Sequence, residues 1–283
     1  MNRLTYSSRF QGKVLRIIPE LIRARELLVD LVWKDLRAQY RRAVLGFMWA
    51  VIEPLMMTLV LTVVFTVLLQ MKMGNGKQSF AVMLLCAFLF WKFLADALSS
   101  ASHSLVDNRT LIGKVNFPRE VVPLASVGFC LVNLVIGLVI YLPVSMLLGT
   151  YPGIAYVWLP FVFAIQLALV VGLSLIFSCL NAWYRDVSYI VGVGLVFGFY
   201  GTPIFYDLNL IRGIAENKGM EWVVTLMFIN PMVGLVTSYR DIMVHDTAPS
   251  VAVLIWPAIL AVTVLLAGVL VFRKRSGTLS DYL

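Results

Sequence analysis

The feature that most constrains this chain is a series of apolar runs long enough to cross a lipid bilayer. Because a helix rises about 1.5 Å per residue, about 20 apolar residues cross the roughly 30 Å hydrocarbon core. Six such runs occur, at 44–69, 80–102, 121–148, 154–180, 187–205 and 251–272. Hydrophobic residues make up 60% of the chain and charged residues only 13%, and the mean hydropathy is +0.89. We therefore predict an all-α integral membrane protein with six transmembrane helices.

A seventh apolar stretch, at 222–243, is too interrupted to predict a regular span. Asn230-Pro231 divides it, and Arg240 and Asp241 close it. Proline removes a backbone donor and leaves carbonyl groups that lipid cannot satisfy. We expect a re-entrant segment or short helices at the outer surface, within an outer gate segment at about 207–245.

The distribution of Lys and Arg predicts the orientation in the membrane. The first 43 residues hold ten of them, and seventeen in all lie on that side of the predicted spans, against five on the other. The positive-inside rule then places both termini in the cytoplasm. We expect a cytoplasmic N-terminal region at 1–43, a six-helix membrane domain at 44–272 and a cytoplasmic tail at 273–283. We attribute the net charge of +8 to setting the membrane orientation and to contacts with anionic lipid headgroups. Nucleic acid is not an expected partner.

The N-terminal region carries a helical pattern of its own. Between residues 20 and 42, apolar residues alternate with charges at spacings near three and four. This pattern predicts an amphipathic helix along the inner membrane surface. Such a helix could serve only as a lipid anchor, or it could also contact a cytoplasmic partner.

The search for catalytic or cofactor motifs is mostly negative. None of the three Gly-Lys pairs lies in a phosphate-binding P-loop, so we expect ATP hydrolysis to require another subunit. Cys86, Cys130 and Cys179 fall inside apolar runs, where buried apolar packing is expected and no metal or redox cofactor is implied. The best enzymatic candidate is His103 with Asp107, one helical turn apart. This imidazole and carboxylate could act together as the general base of an acyl or glycosyl transferase. A polar helix end leaving the membrane explains the two residues as well.

Three charged residues lie inside predicted spans, where charge is costly. Lys92 and Asp96 are four residues apart and could neutralise each other. Glu53 could pair with Lys92 or face a polar lumen. A structural ion pair and the wall of a pathway are both open interpretations.

The fifth run combines aromatic residues with glycines. Its rings could form an interfacial belt, pack in the interior or stack on a glycan. Gly194 and Gly198 are four residues apart, a spacing that lets helices approach closely, while Pro203 would bend or end the helix. Tight packing and a gating hinge are equally open.

The connection at 107–120 (DNRTLIGKVNFPRE) mixes charges with Leu111, Ile112, Val115 and Phe117. Exposed apolar residues on a short cytoplasmic helix favour docking into a groove of another protein. A simple surface turn is the alternative.

Four motifs in this order resemble one known family. They are LVWKDLRAQYRRAVLGFMWAVIEPLMMTLVLTVVF, the NFPRE loop, NAWYRDVSYI with the TPIFY that ends the next span, and INPMVGLVTSYRDIM. Together they closely resemble permease subunits of type-2 ABC transporters that export bacterial O-antigens, teichoic acids and capsular polysaccharides. The similarity covers nearly the whole chain, and the ordered set is more specific than any single motif.

The resemblance implies a homodimer in the bacterial inner membrane, bound to two cytoplasmic ATP-binding subunits that hold ATP and Mg²⁺. A lipid-linked polysaccharide would pass through a channel between the two copies, lined by spans one and five. The residues expected to couple to the ATPase are Asp107, Arg109, Leu111, Ile112, Lys114, Asn116, Phe117, Pro118, Arg119, Glu120, Arg185 and Asp186. The candidate channel or gate residues are Glu53, Lys92, Asp96, Phe197, Tyr200, Pro203, Phe205, Tyr206, Asn230, Pro231 and Arg240.

Two other functions stay open at this point. A type-2 ABC permease for drugs or lipids would share the fold and the ATPase partner, so only the substrate would distinguish it. A membrane transferase using His103 and Asp107 is a further alternative. For the transporter, Phe117→Ala or Arg119→Glu is expected to leave folding intact and to uncouple ATP hydrolysis from export.

Overall fold

A computed structural model describes residues 24–40, 46–68, 79–115 and 117–275. Within these ranges the chain is helical, and no strand occurs. The all-α prediction is confirmed. The helices are α1 (Arg25–Tyr40), α2 (Trp49–Thr62), α3 (Phe80–Asp107), α4 (Arg109–Lys114), α5 (Val121–Leu147), α6 (Leu159–Trp183), α7 (Val187–Gly201), α8 (Leu208–Lys218), α9 (Glu221–Met227), α10 (Pro231–Met243) and α11 (Val251–Arg275).

Five helical segments of the described chain are long and apolar enough to cross a membrane. They are Trp49–Leu68, Phe80–Asp107, Val121–Leu147, Ile154–Trp183 and Val251–Arg275. The first continues α2 through a π-helical turn at Val63–Leu68, and the fourth begins with a 3-10 turn at Ile154–Trp158. The chain is therefore a multi-pass membrane protein, as its apolar runs predict.

The fifth predicted span, 187–205, forms a shorter helix than expected. α7 has 15 residues and ends at Gly201, which gives it a length of about 22 Å. Thr202 is extended, with φ −103° and ψ 138°, because a residue that precedes proline is disfavoured in the helical region. Pro203 thus ends the helix before the bilayer thickness is covered.

The interrupted stretch at 222–243 forms two helices at a sharp angle. α9 and α10 are bent by 89° to each other. Pro231 is the first residue of α10, and the Asn230 side chain accepts a hydrogen bond of 3.0 Å from the Met232 amide. The predicted break therefore lies at Asn230-Pro231, and the pair counts as a sixth span only if the two helices are taken as one.

α3 is the most deeply buried span and lies at the centre of the bundle. α5, α6, α7 and α10 pack around it, and α11 packs along α6. Cys86, Cys130 and Cys179 are buried, unpaired thiols. The interpretation of the three cysteines as apolar packing is consistent with their positions.

The described part of the predicted N-terminal amphipathic helix is α1, and residues 20–23 and 41–42 of the prediction lie outside the described residues. α1 packs against α5 and buries Leu31 and Leu36. The Tyr40 hydroxyl donates to Asn133 Oδ1 of α5 at 3.0 Å, and Lys34 donates to Asn108 Oδ1 at 2.6 Å. One face of α1 is thus attached to the membrane domain.

Candidate transport pathway and cytoplasmic contact surface

The three charged residues predicted inside the spans meet in the structure. Lys92 Nζ lies 2.7 Å from Glu53 Oε1 and 2.9 Å from Asp96 Oδ2. One ammonium group therefore bridges two carboxylates and joins α2 to α3. Pairing lowers the cost of placing these charges within the membrane.

The described residues leave this charged cluster open on one side. The Glu53 side chain is 54% exposed and the Asp96 side chain 41% exposed. Carboxylates that faced hydrocarbon would be unstable. The open side of the cluster must therefore face water or another protein surface.

A small polar cavity of about 30 Å³ lies beside this cluster. Residues of α1, α2, α3 and α5 line it, among them Tyr40, Glu53, Lys92, Asp96 and Asn133. α1 contributes Tyr40 and Gln39 to this lining. Burial raises the pKa of the Tyr40 hydroxyl. Sequence reasoning did not bring Tyr40 and Asn133 into this site, because the two residues are far apart in the chain.

The faces of α2 and α7 are largely exposed. Val191 is the one buried side chain of α7, and α2 buries only Pro54 and Thr58. The predicted channel residues Phe197 and Tyr200 are both exposed on α7. By contrast, Pro203 is buried at the end of that helix. The structure thus separates exposed candidates from buried ones.

An aromatic cluster connects the far end of α2 to the end of α7. The Phe205 ring stacks on the Phe65 ring, with 5.4 Å between the ring centroids. Its centroid lies 5.9 Å from that of Phe199 and 6.0 Å from that of Tyr200. Tyr206 adds a further ring at 5.2 Å. Burial raises the pKa of Tyr206, and the neighbouring Arg240 guanidinium partly opposes that effect. Phe65 was not among the predicted site residues.

Arg240 is buried, with 6% of its surface exposed, and does not line an open face. Its guanidinium donates to the carbonyl oxygens of Ile204 at 2.6 Å, Tyr206 at 2.9 Å and Met83 at 3.4 Å. Asn230 Nδ2 donates to Thr202 Oγ1 at 2.9 Å. Both candidate gate residues therefore contact the segment that follows α7.

A buried amide in α6 was also missed from the sequence. Gln166 Nε2 donates to the Phe90 carbonyl at 2.8 Å, and its Oε1 accepts from the Tyr239 hydroxyl at 2.6 Å. Gln166 is the one amide side chain in the apolar run 154–180. That isolated polar residue was the available signal, since a buried amide needs partners.

The loop at 107–120 contains the short helix α4, but its apolar residues are not all exposed. Ile112 is buried, and Leu111 and Phe117 pack partly against the same cluster, which includes Val121 and Phe272. Val115 is 49% exposed. The expectation that the apolar residues of this loop are free for docking is therefore wrong for Ile112, because the loop needs an anchor on its own bundle.

The other predicted coupling residues occupy the same end of the bundle. Asp107, Arg109, Lys114, Arg185 and Asp186 are exposed, and Pro118, Arg119 and Glu120 are half-buried. Arg273 of α11 approaches Glu120 at 3.7 Å. Asn116 lies outside the described residues.

The turn between α6 and α7 faces the end of α3 across a polar cleft of about 510 Å³. The cleft contains His103, Asp107, Arg109, Arg185 and Tyr189. The turn itself is held by Asn181, whose Oδ1 accepts from the Ser188 amide at 3.0 Å. The fold thus brings the two predicted cytoplasmic segments, 107–120 and the Arg185-Asp186 turn, to one surface.

A bundle of apolar spans with a charged cluster at an open face and a compact polar surface at one end is consistent with a membrane transport subunit. The chain belongs to the ABC-2 type transporter membrane family, whose family model matches residues 26–244. In such transporters the permease works with a separate ATP-binding subunit. The membership leaves the transferase interpretation of His103 and Asp107 without support.

Similar proteins refine this assignment. The chain is 31% identical to the O-antigen export system permease protein RfbA of Myxococcus xanthus over 262 residues, which is 93% of this chain and 97% of the relative. It is 28% identical to an O-antigen export system permease protein RfbA of Klebsiella pneumoniae over 223 residues, or 78% of this chain and 82% of the relative. A second Klebsiella pneumoniae protein of that name is 26% identical over 221 residues, or 78% and 81%.

Proposed function

We propose that this chain is the permease subunit of an ATP-driven exporter that moves a lipid-linked polysaccharide of the O-antigen or teichoic-acid class across the bacterial inner membrane. The observation that carries the proposal is the similarity to an O-antigen export permease over 93% of this chain and 97% of that relative. Because the match covers nearly the whole of both chains, it is not confined to a shared part of a larger relative.

The exposed face of α2, α3 and α7 supports a channel between two copies of the chain. Glu53 and Asp96 are too exposed to face lipid, so this side needs water or a partner. α7 adds exposed tyrosines at 189 and 200 and exposed glycines at 192 and 194. A second copy placed against this face would cover the charges and leave a polar lumen.

A contrast with α11 supports the same assignment. The exposed side chains of α11 are mostly aliphatic, as at Val251, Ile255, Ile259 and Val262. Aliphatic side chains suit contact with lipid tails. We therefore assign α11 to the lipid-facing side and the α2 and α7 face to the homodimer.

Two ATP-binding subunits would dock on the surface formed by 107–120 and the Arg185-Asp186 turn. The positive-inside count predicts that this surface and both termini lie in the cytoplasm. ATP and Mg²⁺ would be bound by those subunits. Nucleotide-dependent closure would move the channel only if the subunits contact this surface differently in their two states.

The test is deletion of the gene, followed by measurement of lipid-linked glycan in the cytoplasmic leaflet and of glycan at the cell surface. We expect glycan to accumulate inside and to be lost outside, with both effects reversed by the intact gene. Unchanged surface glycan would contradict the proposal. It would favour the other substrate class of the fold, drugs or lipids.

A further inference from the structure

The Arg240 guanidinium holds the backbone on both sides of two adjacent aromatic residues. Its Nη2 donates to the Ile204 carbonyl at 2.6 Å and its Nη1 to the Tyr206 carbonyl at 2.9 Å. These carbonyls belong to the peptide units that flank the Phe205-Tyr206 dipeptide. Fixing both units restricts the backbone torsions between them, and hence the directions of the two side chains.

We propose that Arg240 is a positioning residue that aims the Phe205 and Tyr206 rings into the aromatic cluster at the end of α2 and α7. The geometry suits an arginine, because its planar fork holds several donors in a fixed arrangement, whereas a lysine presents its donors from one atom on a flexible chain. Arg240 therefore acts through the backbone and does not itself line the pathway.

The segment that Arg240 holds has a particular need for such donors. Pro203 ends α7, so the next carbonyls have no continuing helix to bond to. Ile204 is fully buried, and unsatisfied carbonyls at membrane depth are costly. A third contact, from Arg240 Nε to the Met83 carbonyl at 3.4 Å, joins the same side chain to α3.

The other end of the segment is tied to the same helix. Asn230, at the start of α10, donates to Thr202 Oγ1 at 2.9 Å, and Thr202 Oγ1 in turn donates to the Gly198 carbonyl at 2.7 Å. The ten residue-to-residue steps from Asn230 to Arg240 span about 15 Å. α10 thus holds residues 202–206 at two separate points.

The Phe205 ring contacts the first span, so its position also fixes the contact between the two spans. The ring stacks on Phe65 at 5.4 Å, with an interplanar angle of 21°, and lies 6.0 Å from Tyr200. Phe65 belongs to the π-helical turn Val63–Leu68, which directly follows α2. The relevance to transport rests on the proposed function, in which α2 and α7 line the channel.

Cross-linking tests the positioning directly and without reference to transport. Phe65→Cys and Phe205→Cys are introduced together in the full-length protein in membranes, with a short thiol cross-linker as the probe. We expect efficient cross-linking with Arg240 present and a loss of about tenfold with Arg240→Met. Arg240→Lys should give an intermediate loss, since it keeps the charge but presents its donors from one atom instead of from a rigid planar fork.

Tyr239→Phe is the matched control. It removes a buried hydrogen bond to Gln166 from the neighbouring position of α10, and this hydroxyl bonds to α6, not to the backbone of residues 202–206. We expect it to lower thermal stability and to leave the cross-linking unchanged. Unchanged cross-linking in Arg240→Met and Arg240→Lys, or an equal loss in Tyr239→Phe, would overturn the proposal.

A double-mutant cycle on export supplies the functional readout. Arg240→Lys and Phe205→Ala are each expected to slow export, and the double variant should be no slower than the slower single variant, because both act on one ring. Additive losses would overturn the positioning role. If none of the variants slowed glycan export while the cross-linking result held, the positioning would stand but the aromatic cluster would have no role in transport. The gene deletion decides the proposed function separately.

Discussion

At the scale of single residues, α6 and α11 approach each other closely where each helix contributes one glycine. A Cβ on Gly268 of α11 would overlap the Gly172 carbonyl oxygen of α6, and a Cβ on Gly172 would lie 2.6 Å from the Leu265 amide nitrogen. Both neighbours are backbone atoms that cannot move without shifting a helix. Backbone contact of this kind allows close packing where no hydrophobic force drives spans together in lipid.

Gly268→Ala should therefore destabilise the protein. We expect a loss of about 1–3 kcal/mol in the free energy of unfolding, because the added methyl group forces α6 and α11 apart. Gly213→Ala in α8 is the control, since nothing lies within 4 Å of a Cβ there, and alanine is the better helix former by about 0.5–1 kcal/mol. Thermal unfolding in detergent compares them, and equal midpoints would contradict this packing.

The sequence pointed to other glycines. The four-residue spacing of Gly194 and Gly198 indicated either tight packing or a hinge. In the structure a Cβ at Gly198 would meet the Trp91 ring at 2.6 Å, whereas Gly194 has nothing within 4 Å. Gly172 and Gly268 carry no such signal, because each is a single glycine whose partner lies on another helix. Contacts of this kind depend on tertiary packing that a spacing rule cannot reveal.

At the scale of elements, one residue anchors α4 to the bundle, while most of its other residues face the solvent. Ile112 is 8% exposed and packs with Leu105 and Val121, while Val115 at the end of the helix is 49% exposed. A docking surface can only use the exposed side. This changes the expectation for Phe117→Ala, which should cost stability, since Phe117 packs against the same cluster.

Two substitutions separate anchoring from coupling. Ile112→Ala should lower the free energy of unfolding by about 2–5 kcal/mol, because it leaves a cavity in the cluster. Val115→Asp should change stability by no more than about 0.5 kcal/mol but uncouple ATP hydrolysis from glycan export. Thermal unfolding and ATPase assays with the partner subunit measure the two effects. Normal export by a folded Val115→Asp protein would remove Val115 from the docking surface.

The long spans could be predicted from the sequence because apolar length alone requires them. α3, α5 and α11 begin at the predicted residues 80, 121 and 251. Pro203 was expected to bend or end α7, but the predicted run extended to 205 because the sequence stays apolar beyond the proline, whereas the helix ends at Gly201. The bend at Asn230-Pro231 was predictable, since proline and its capping neighbour act locally. The carbonyl contacts of Arg240 were not, because they join residues 34 to 157 positions apart.

At the scale of the whole molecule, the described surface has two unlike apolar sides. α11 exposes mainly aliphatic side chains, whereas the side formed by α2, α3 and α7 mixes apolar residues with the exposed carboxylates of Glu53 and Asp96 and with tyrosines. Hydrocarbon suits only the first side. If two copies enclose a polar channel, the α7 face should be wet and the α11 face should be dry.

Cysteine labelling distinguishes these two environments when it compares two positions that are equally exposed in a single copy of the chain. Val193 of α7 is 57% exposed and Ile259 of α11 is 54% exposed. A maleimide reacts with the thiolate, which forms in water but not in hydrocarbon, so Val193→Cys should label much faster than Ile259→Cys in membranes. The three native thiols are buried and supply the background. Equal rates at both positions would mean that the two faces share one environment, and the channel would have to lie elsewhere in the assembly.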